Sequence, residues 1–228
     1  MKIALLGAME EEITPLLEQL ENYEKISYAK NTFYLAKYKN HELVIAYSKI
    51  GKVNSSLTAS LLIEKFGCEI LLFTGVAGSL NKDLHIGDMI IASSTCQHDL
   101  DISVFGHPYG YVPGIEVFAK TDDKLNKIAL EVAKEKGLKL QFGIIASGDQ
   151  FVCEQDRKDW IKDTFKADAV EMEGASVGQI CSLLGVPYLL LRTISDEAGG
   201  GAECDYDKFV ISSAKISANF VLEIVSNL

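Results

Sequence analysis

The chain has 228 residues, 48% of them hydrophobic, which is enough to bury a substantial core within one large domain. Its formal net charge of -10 argues against a nucleic-acid partner, since such a partner requires a basic face. Five cysteines and four histidines are scattered without a C-x-x-C pair or metal-ligand spacing, so we expect reduced thiols and predict no metal site.

The N-terminal segment MKIALLGAMEEE contains an apolar stretch that is too short for a secretory signal, and acidic residues follow it directly. No apolar run in the sequence reaches the length that we expect of a membrane span. We therefore expect a soluble, cytoplasmic protein without a membrane partner.

The first third of the chain predicts strands and helices in alternation. KIALLGA is a short buried strand that ends at Gly7, and MEEEITPLLEQLENY is a helix with Pro15 in its first turn. TFYLAKYKNHELVIAY predicts two strands around a turn at Lys39 and Asn40. GKVNSSLTASLLIEKFG predicts a helix that stops at Gly67.

The middle of the chain continues the alternation. EILLFTGVAGSL predicts an apolar strand that runs into a glycine-rich turn, and a second strand is predicted from Met89 to Ser93 with an extension beyond it. A loop rich in glycine, proline and aromatic residues follows, VFGHPYGYVPG. DDKLNKIALEVAKEKG predicts an amphipathic helix that ends at Gly137, and QFGIIASGDQFV a strand with a polar end.

The last third predicts a short helix at DRKDWIKDTF, then a strand, helix, strand and loop from DAVEMEG to AGGG. A final helix follows, with Ile216, Phe220 and Ile224 on one face. No linker or repeat interrupts the alternation. We predict a single α/β domain over residues 1–228, with a largely parallel or mixed sheet flanked by helices.

Acidic and small residues follow several predicted strands. Because ligands bind at the carboxyl ends of strands in open α/β sheets, these positions are candidates for a site. Each has a simpler explanation when taken singly, such as a helix N-terminus for the acids at 10–12, a tight turn for Gly78 or a cap for Asp196.

The pair Glu171 and Glu173 in VEMEGAS is harder to explain structurally. In a strand both side chains would face the same way, with Met172 on the opposite face. Two like charges on one face of a central strand are costly. Neighbouring carboxylates at a cleft suit proton transfer or binding of sugar hydroxyls, so the residues alone predict a small polar ligand and acid–base chemistry.

Six segments in order resemble the 5′-methylthioadenosine/S-adenosylhomocysteine nucleosidase family. They are GAMEEEI, YSKIGKVN, FTGVAGSL, ASGDQFV, AVEMEGASV and RTISD, and the similarity runs over essentially the whole chain. The forms GVAGSL, TPLLEQL and EMEGASV look closest to a branch that also cleaves 6-amino-6-deoxyfutalosine, an intermediate of a menaquinone route. The resemblance implies a nucleoside phosphorylase-like fold with a mixed, twisted central sheet.

The resemblance also implies cleavage of an N-glycosidic bond by water, giving adenine and a 5-thioribose without a cofactor. Glu12 would be the general base that activates water, and Asp196, helped by Ser195, would protonate purine N7. Phe151 would stack on the adenine, and the backbone of Val152 would read its Watson–Crick edge.

The resemblance places the ribose against Met172 and Glu173. Glu173 would stay an anion because two hydroxyls donate hydrogen bonds to it, and its charge would stabilise a ribosyl cation in the transition state. Arg192 would lie near Glu173 and the water. For Glu171 two roles stay open, assistance at the sugar site or a place in a structural network.

The glycine-rich turn departs from the pattern of many family members, which have serine where this chain has Val76. The resemblance then leaves the backbone of Ala77 and Gly78 to place water or sugar. The 5′ side of the substrate would be lined by apolar residues, some of them from a second subunit of a homodimer. These are Met9, Ile50 and Tyr206, with Ile102, Phe105 and Pro113 of the partner subunit.

Two alternatives remain at the level of sequence. A nucleoside phosphorylase on the same fold would need cations for phosphate, yet the chain has only Arg157 and Arg192 as arginines and carries three acids after its first strand. A non-catalytic nucleoside sensor would keep the pocket and lose the chemistry, and the presence of both Glu12 and Asp196 speaks against it.

Overall fold

The structure, a computed structural model, describes residues 1–196 and 202–228, and side chains outside 202–208. The strands are β1 (Lys2–Gly7), β2 (Tyr23–Tyr28), β3 (Asn31–Tyr38), β4 (His41–Tyr47), β5 (Ile70–Phe73), β6 (Val76–Ser79), β7 (Met89–Gln97), β8 (Ala119–Lys120), β9 (Leu140–Ser147), β10 (Ala169–Glu171) and β11 (Tyr188–Asp196). The α-helices are α1 (Glu10–Leu17), α2 (Lys52–Ser60), α3 (Asp123–Lys136), α4 (Gln155–Phe165), α5 (Gly174–Leu184) and α6 (Ala202–Ser226).

All the strands belong to one mixed sheet with the order β2-β3-β4-β1-β5-β11-β6-β10-β9-β7-β8. The centre is parallel: β4, β1, β5, β11 and β6 run in the same direction. The long strand β11 also pairs antiparallel with β7, which closes β11, β6, β10, β9 and β7 into a ring. The predicted α/β domain with a mixed sheet is confirmed.

Helices cover both faces of the sheet. One apolar core packs α1, α3 and α6 against the sheet, with Ile13, Leu125 and Val221 among its buried residues. The other packs α2 and α5 against the opposite face, through residues such as Ala59 and Val177. Continuous apolar runs in β1, β5 and β11 supply both cores, as expected for strands buried on two sides.

Several predicted elements are confirmed with small shifts. The turn at Lys39 lies between β3 and β4, and α3 ends at Gly137, whose φ of 64° is left-handed. The predicted helix after Gly51 is α-helical to Ser60 and continues as a π-helical turn over Leu61–Lys65. It stops at Gly67, whose φ of 69° turns the chain away.

Four predictions are wrong in part. Helix α1 ends at Leu17, so Pro15 lies in its second turn, and Tyr23 begins a strand that was not predicted. The glycine-rich turn after β5 is the strand β6. On α6 the predicted face is incomplete, because Ile216 is 39% exposed while Phe220 and Ile224 are buried.

The fourth error concerns the two glutamates. Strand β10 ends at Glu171, and Glu173 caps helix α5 with a φ of -138° and a ψ of -40°. The strand alternation that placed both carboxylates on one face therefore does not apply.

Helix α6 also corrects the expectation about apolar runs. Its segment Phe209–Ser226 is long and apolar enough, by length and composition alone, to cross a membrane. Half of that segment is buried inside the protein, where it packs against α1, β6 and β11. A core helix passes the same test, so this segment is weak evidence for a membrane span.

Candidate active site

A cavity of about 330 Å³ opens at the carboxyl ends of β1, β9, β10 and β11. This is where the sequence predicted a site, and the volume falls within the range of about 300–1,000 Å³ that is usual for small-molecule sites. The residues that line it are Ala8, Met9, Glu12, Ile50, Val76, Ala77, Gly78, Gln150, Phe151, Val152, Val170, Glu171, Met172, Glu173, Ser195 and Asp196.

Glu12 is buried in the first turn of α1 and is held from three sides by backbone N–H groups. Ala8 and Met9 donate to Oε2 at 2.5 and 3.1 Å, and Val76 donates to Oε1 at 3.0 Å. Gly75 allows this approach, because a Cβ at that position would lie 2.5 Å from Oε1. The Val76 amide thus serves Glu12 directly, a contact that the sequence comparison with serine-containing turns did not suggest.

The protonation of Glu12 is set mainly by burial. Burial raises the pKa of its carboxyl above the ordinary value, while the charge of Arg192 and the three N–H donors oppose that shift. Oε1 accepts only the Val76 N–H among these bonds and so keeps a second lone pair, with which the group can accept a proton from a water in the cavity. A fixed carboxylate of raised pKa is suited to act as a general base.

Ser195 and Asp196 end β11 and both line the cavity. Neighbours on a regular strand point to opposite faces, but the pairing of β11 with β6 shifts register between Ile194 and Asp196. This irregularity accounts for both side chains reaching the same cavity. Ser195 donates its hydroxyl to Asp196 Oδ2 at 2.9 Å, which orients the carboxyl group.

Glu173 is buried, and its Oε1 accepts the Gly51 N–H at 2.8 Å. Burial, and then the charge of Glu171, raise the pKa of Glu173 to about 8, although the Gly51 amide and Arg192 lower it. Burial thus favours the protonated form of this carboxyl and opposes the anion that the resemblance implies. Donors from a bound ligand would favour the anion.

Glu171 is saturated by contacts within the protein. Arg192 donates to its Oε2 at 2.7 Å, the Gly174 N–H bonds both oxygens, and the Ser147 hydroxyl makes a further short hydrogen bond. Arg192 is itself buried, and its guanidinium lies 4.1 Å from the centre of the Phe73 ring. Of the two roles left open for Glu171, this geometry favours the structural network.

The remaining predicted site residues fall into four groups. Met9, Ile50, Ala77, Gly78, Phe151, Val152 and Met172 line the cavity, whereas Arg192 lies behind Glu171. Ile102, Phe105 and Pro113 lie on the loop after β7 and do not line this cavity. The side chain of Tyr206 lies outside the described residues.

Sequence reasoning missed the contacts that the start of α2 makes beside the cavity. Gly51 contacts Glu173, and Lys52 and Asp149 are linked beside it. Gly51 has a φ of 96°, a conformation for which glycine is the usual residue. A glycine before a helix start was the available signal, since it points to a backbone N–H aimed at an anion.

The model of one protein family, described as the phosphorylase superfamily, matches residues 2–227. The chain is 63% identical to an aminodeoxyfutalosine nucleosidase of Campylobacter jejuni, over the full length of both proteins. It is 37% identical to a 5′-methylthioadenosine/S-adenosylhomocysteine nucleosidase of a Geobacillus strain, over 100% of this chain and 99% of the relative.

A solved structure extends the similarity to a complex. The crystal structure of a Helicobacter pylori 5′-methylthioadenosine/S-adenosylhomocysteine nucleosidase with butyl-thio-DADMe-Immucillin-A superposes with a TM-score of 0.98. The two chains are 48% identical, and the match covers 100% of this chain and 98% of that one. The similarity therefore includes every element that lines the cavity.

Proposed function

This chain belongs to the phosphorylase superfamily and, within it, to the aminodeoxyfutalosine and 5′-methylthioadenosine/S-adenosylhomocysteine nucleosidases, and from this premise we propose how it cleaves its substrates. It is a nucleoside hydrolase that acts on N-glycosidic bonds of small-molecule nucleosides. The proposed substrates are 5′-methylthioadenosine, S-adenosylhomocysteine and 6-amino-6-deoxyfutalosine, and 5′-deoxyadenosine as a further one. The observation that carries the proposal is the convergence of Glu12, Glu173 and Asp196 on one cavity.

In the proposed reaction the bond between ribosyl C1′ and adenine N9 breaks, and its electron pair leaves with the base. Asp196, oriented by Ser195, donates a proton to N7, so that the base departs as neutral adenine. Water forms the new bond to C1′ and gives its proton to Glu12. The atoms balance as nucleoside plus water giving adenine plus the ribosyl product.

Glu173 would bind the ribose in this reaction. Two ribose hydroxyls that donate to its carboxylate would stabilise the anion, although burial raises the pKa of the Glu173 carboxyl to about 8. The bound anion would then stabilise the positive charge that develops on the ribosyl ring. Met172 lies between the two glutamates and lines the same wall of the cavity.

The adenine would occupy the side of the cavity near Phe151 and Val152. The Phe151 ring lines the cavity and is 45% exposed, so a planar base can stack on it. Val152 lies in the connection between β9 and α4, where no sheet ladder uses its backbone groups. Replacing the 6-amino group of the base by a keto oxygen would mispair these groups, at about 1–3 kcal/mol for each one left unsatisfied.

The two arginines support hydrolysis over phosphorolysis. Arg192 is paired with Glu171, and Arg157 bonds His98 and lies 4.2 Å from the centre of the Trp160 ring. Neither lines the cavity. A phosphate dianion beside Glu12 would meet negative charge rather than a cation.

We propose a homodimer as the working form. Val104 and Phe105, on the loop after β7, are 86% and 77% exposed, which argues against ordinary core packing at these two positions. A groove of about 1,120 Å³ runs between this loop and the end of α5, where Leu183 is also exposed. An apolar surface of this kind suits a subunit interface, and Ile102, Phe105 and Pro113 of the partner subunit would cap the 5′ end of the substrate.

The test is release of adenine from each of the three proposed substrates by the purified protein, with and without inorganic phosphate. We expect adenine from all three at rates that do not depend on phosphate, and poor cleavage of inosine-type analogues. Phosphate-dependent turnover would identify a phosphorylase, and binding without adenine release would identify a sensor. A specificity constant for 6-amino-6-deoxyfutalosine several orders of magnitude below that for 5′-methylthioadenosine would confine the protein to sulfur salvage.

A further inference from the structure

Two loops beside the cavity meet at the N-terminus of α2. The Gly51 N–H is bonded to Glu173 Oε1 at 2.8 Å, and the next amide, that of Lys52, is bonded to Asp149 Oδ1 at 2.8 Å. Asp149 directly precedes residues 150–152, which line the cavity on the proposed base side. Two consecutive N–H groups therefore hold the proposed ribose side and base side in a fixed relation.

The Lys52 side chain links the same loops through a second set of contacts. Its Nζ lies 2.6 Å from Asp99 Oδ1 and 3.1 Å from Gln97 Oε1, and Asp99 Oδ2 accepts the Asp149 N–H at 2.8 Å. The side chains of Lys52 and Asp99 are only 18% and 15% exposed, which protects the ion pair from solvent screening. Hydrogen bonds thus link Lys52, Asp99 and Asp149 in a ring, here called the Lys52 network.

Asp99 is held as the carboxylate within the Lys52 network. Burial raises the pKa of Asp99, but the hydrogen bonds from Lys52 and from the Asp149 amide bring it below its ordinary value. Gly51 completes the packing, because a Cβ there would lie 3.0 Å from Asp149 Oδ1. The backbone of α2 and the Asp149 carboxylate are therefore in close contact.

We propose that the Lys52 network is a positioning device for the reaction proposed above, on which this inference rests. It holds the Gly51 amide on Glu173 and sets residues 150–152 at the distance that the base requires. Lys52, Asp99 and Asp149 touch no reacting atom, so they are positioning residues rather than catalytic ones. A displacement of about 1 Å in such a site can cost roughly a hundredfold in rate.

The proposal has a signature in the pH profile. The groups that act on Glu173 are the charges of Glu171 on β10, Arg192 on β11 and Glu12 on α1, together with the Gly51 N–H. The Gly51 bond lowers the pKa of Glu173, so a misplaced amide lets that pKa rise. The acid limb of kcat/KM then moves to higher pH, whereas a loss of stability alone leaves the limb in place.

The experiment compares four variants by adenine release from 5′-methylthioadenosine across pH, with thermal unfolding measured alongside. Asp149→Ala removes the acceptor of the Lys52 amide, and Asp149→Asn keeps an oxygen there. Lys52→Met removes the cation of the Lys52 network and so disrupts the network without changing Asp149. Asp163→Ala removes an exposed acid on α4 and controls for net charge.

We expect Asp149→Ala and Lys52→Met to lower kcat/KM by roughly 10- to 100-fold and to move the acid limb upward. Asp149→Asn should keep most of the parent's kcat/KM and an acid limb close to the parent's, and Asp163→Ala should match the parent. The proposal is overturned if Asp149→Ala and Lys52→Met lose only stability, or if the alanine and asparagine variants behave alike. A parent protein that releases no adenine would instead overturn the proposed function.

Discussion

At the scale of single residues, the site contains carboxyl groups whose pKa values are raised by burial. Glu12 and Glu173 both have raised pKa values, and in each case burial is the largest cause. Backbone N–H groups rather than side chains orient them, from Val76 and Ala8 for Glu12 and from Gly51 for Glu173. Fixed amides cost no reorganisation when charge moves during a reaction.

Glu12→Gln should fold, bind substrate and lose about 10²- to 10⁴-fold in kcat, because an amide cannot take the proton of water. The matched control is Glu11→Gln, which changes an exposed neighbour on the same helix turn. Single-turnover adenine release measures both. Near-normal turnover by the Glu12 variant would remove this residue from the proposed mechanism.

The pKa of Glu173 predicts a pH dependence whose sign can be stated. Below about pH 8 the protonated form of the free carboxyl predominates, so kcat/KM should rise with pH toward that value as long as Asp196 keeps the proton that it donates. In the complex, hydroxyl donors favour the anion, so the acid limb of kcat should lie at lower pH than that of kcat/KM. Profiles of both constants check this, and coincident limbs would show that the ribose does not bond Glu173.

Glu171→Gln tests the structural role of that residue. The change leaves the buried Arg192 guanidinium without its anion, which should lower the free energy of unfolding by about 3–5 kcal/mol. Glu42→Gln is the matched control, because it breaks the exposed 3.5 Å pair with Lys2, which is worth at most about 1 kcal/mol. Urea unfolding compares the two, and equal losses would rule out a structural ion pair at Glu171.

At the scale of elements, the long apolar strands and the amphipathic helix α3 could be predicted from the sequence, whereas the edge strand β2 and the short elements at the site could not. Strand β2 is exposed on both faces and shows no alternation, and β6 is four small buried residues that resemble a turn. Strand β10 ends after three residues, which defeats any argument from alternation. At β6 and β10 the backbone departs from regular patterns where it positions side chains in the cavity.

The bend between β5 and β6 gives the test at this scale. In Gly75→Ala the new Cβ would meet the Glu12 carboxylate, and in Gly143→Ala it would meet the Asp168 carboxylate, away from the cavity. Both should lose stability by about 1–3 kcal/mol through overpacking. Only Gly75→Ala should also lose kcat, by roughly a hundredfold, since it displaces the proposed base. Equal activities in the two variants would contradict the placement of Glu12.

At the scale of the whole molecule, the cavity joins residues that are far apart in the sequence. Positions 8–12, 76–78, 150–152, 170–173 and 195–196 meet because the carboxyl ends of β1, β9, β10 and β11 converge on one cavity, although β9 and β10 run antiparallel to β11. The sequence indicated each segment by its polar residues, but not the contacts between them. The ion pair of Lys52 with Asp99 spans 47 positions and had no sequence signature.

The exposed loop after β7 predicts how the whole assembly behaves. Phe105 is 77% exposed, and burying such a ring in a partner is worth about 1.5–3 kcal/mol, twice over in a symmetric dimer. Phe105→Ala should therefore raise the dimer dissociation constant by about a hundredfold or more. It should also raise KM for 5′-methylthioadenosine, because Phe105 of the partner subunit would cap the thioether.

Phe142→Ala is the control for this prediction, since it removes a similarly exposed ring from β9, on a strand that does not form the groove beside α5. Sedimentation velocity across a dilution series gives the dissociation constant, and adenine release at a concentration where both proteins are dimeric gives KM. A raised dissociation constant with an unchanged KM would place Phe105 in the interface and outside the site. If neither quantity changes, the loop does not form the subunit contact, and another surface must close the 5′ end of the cavity.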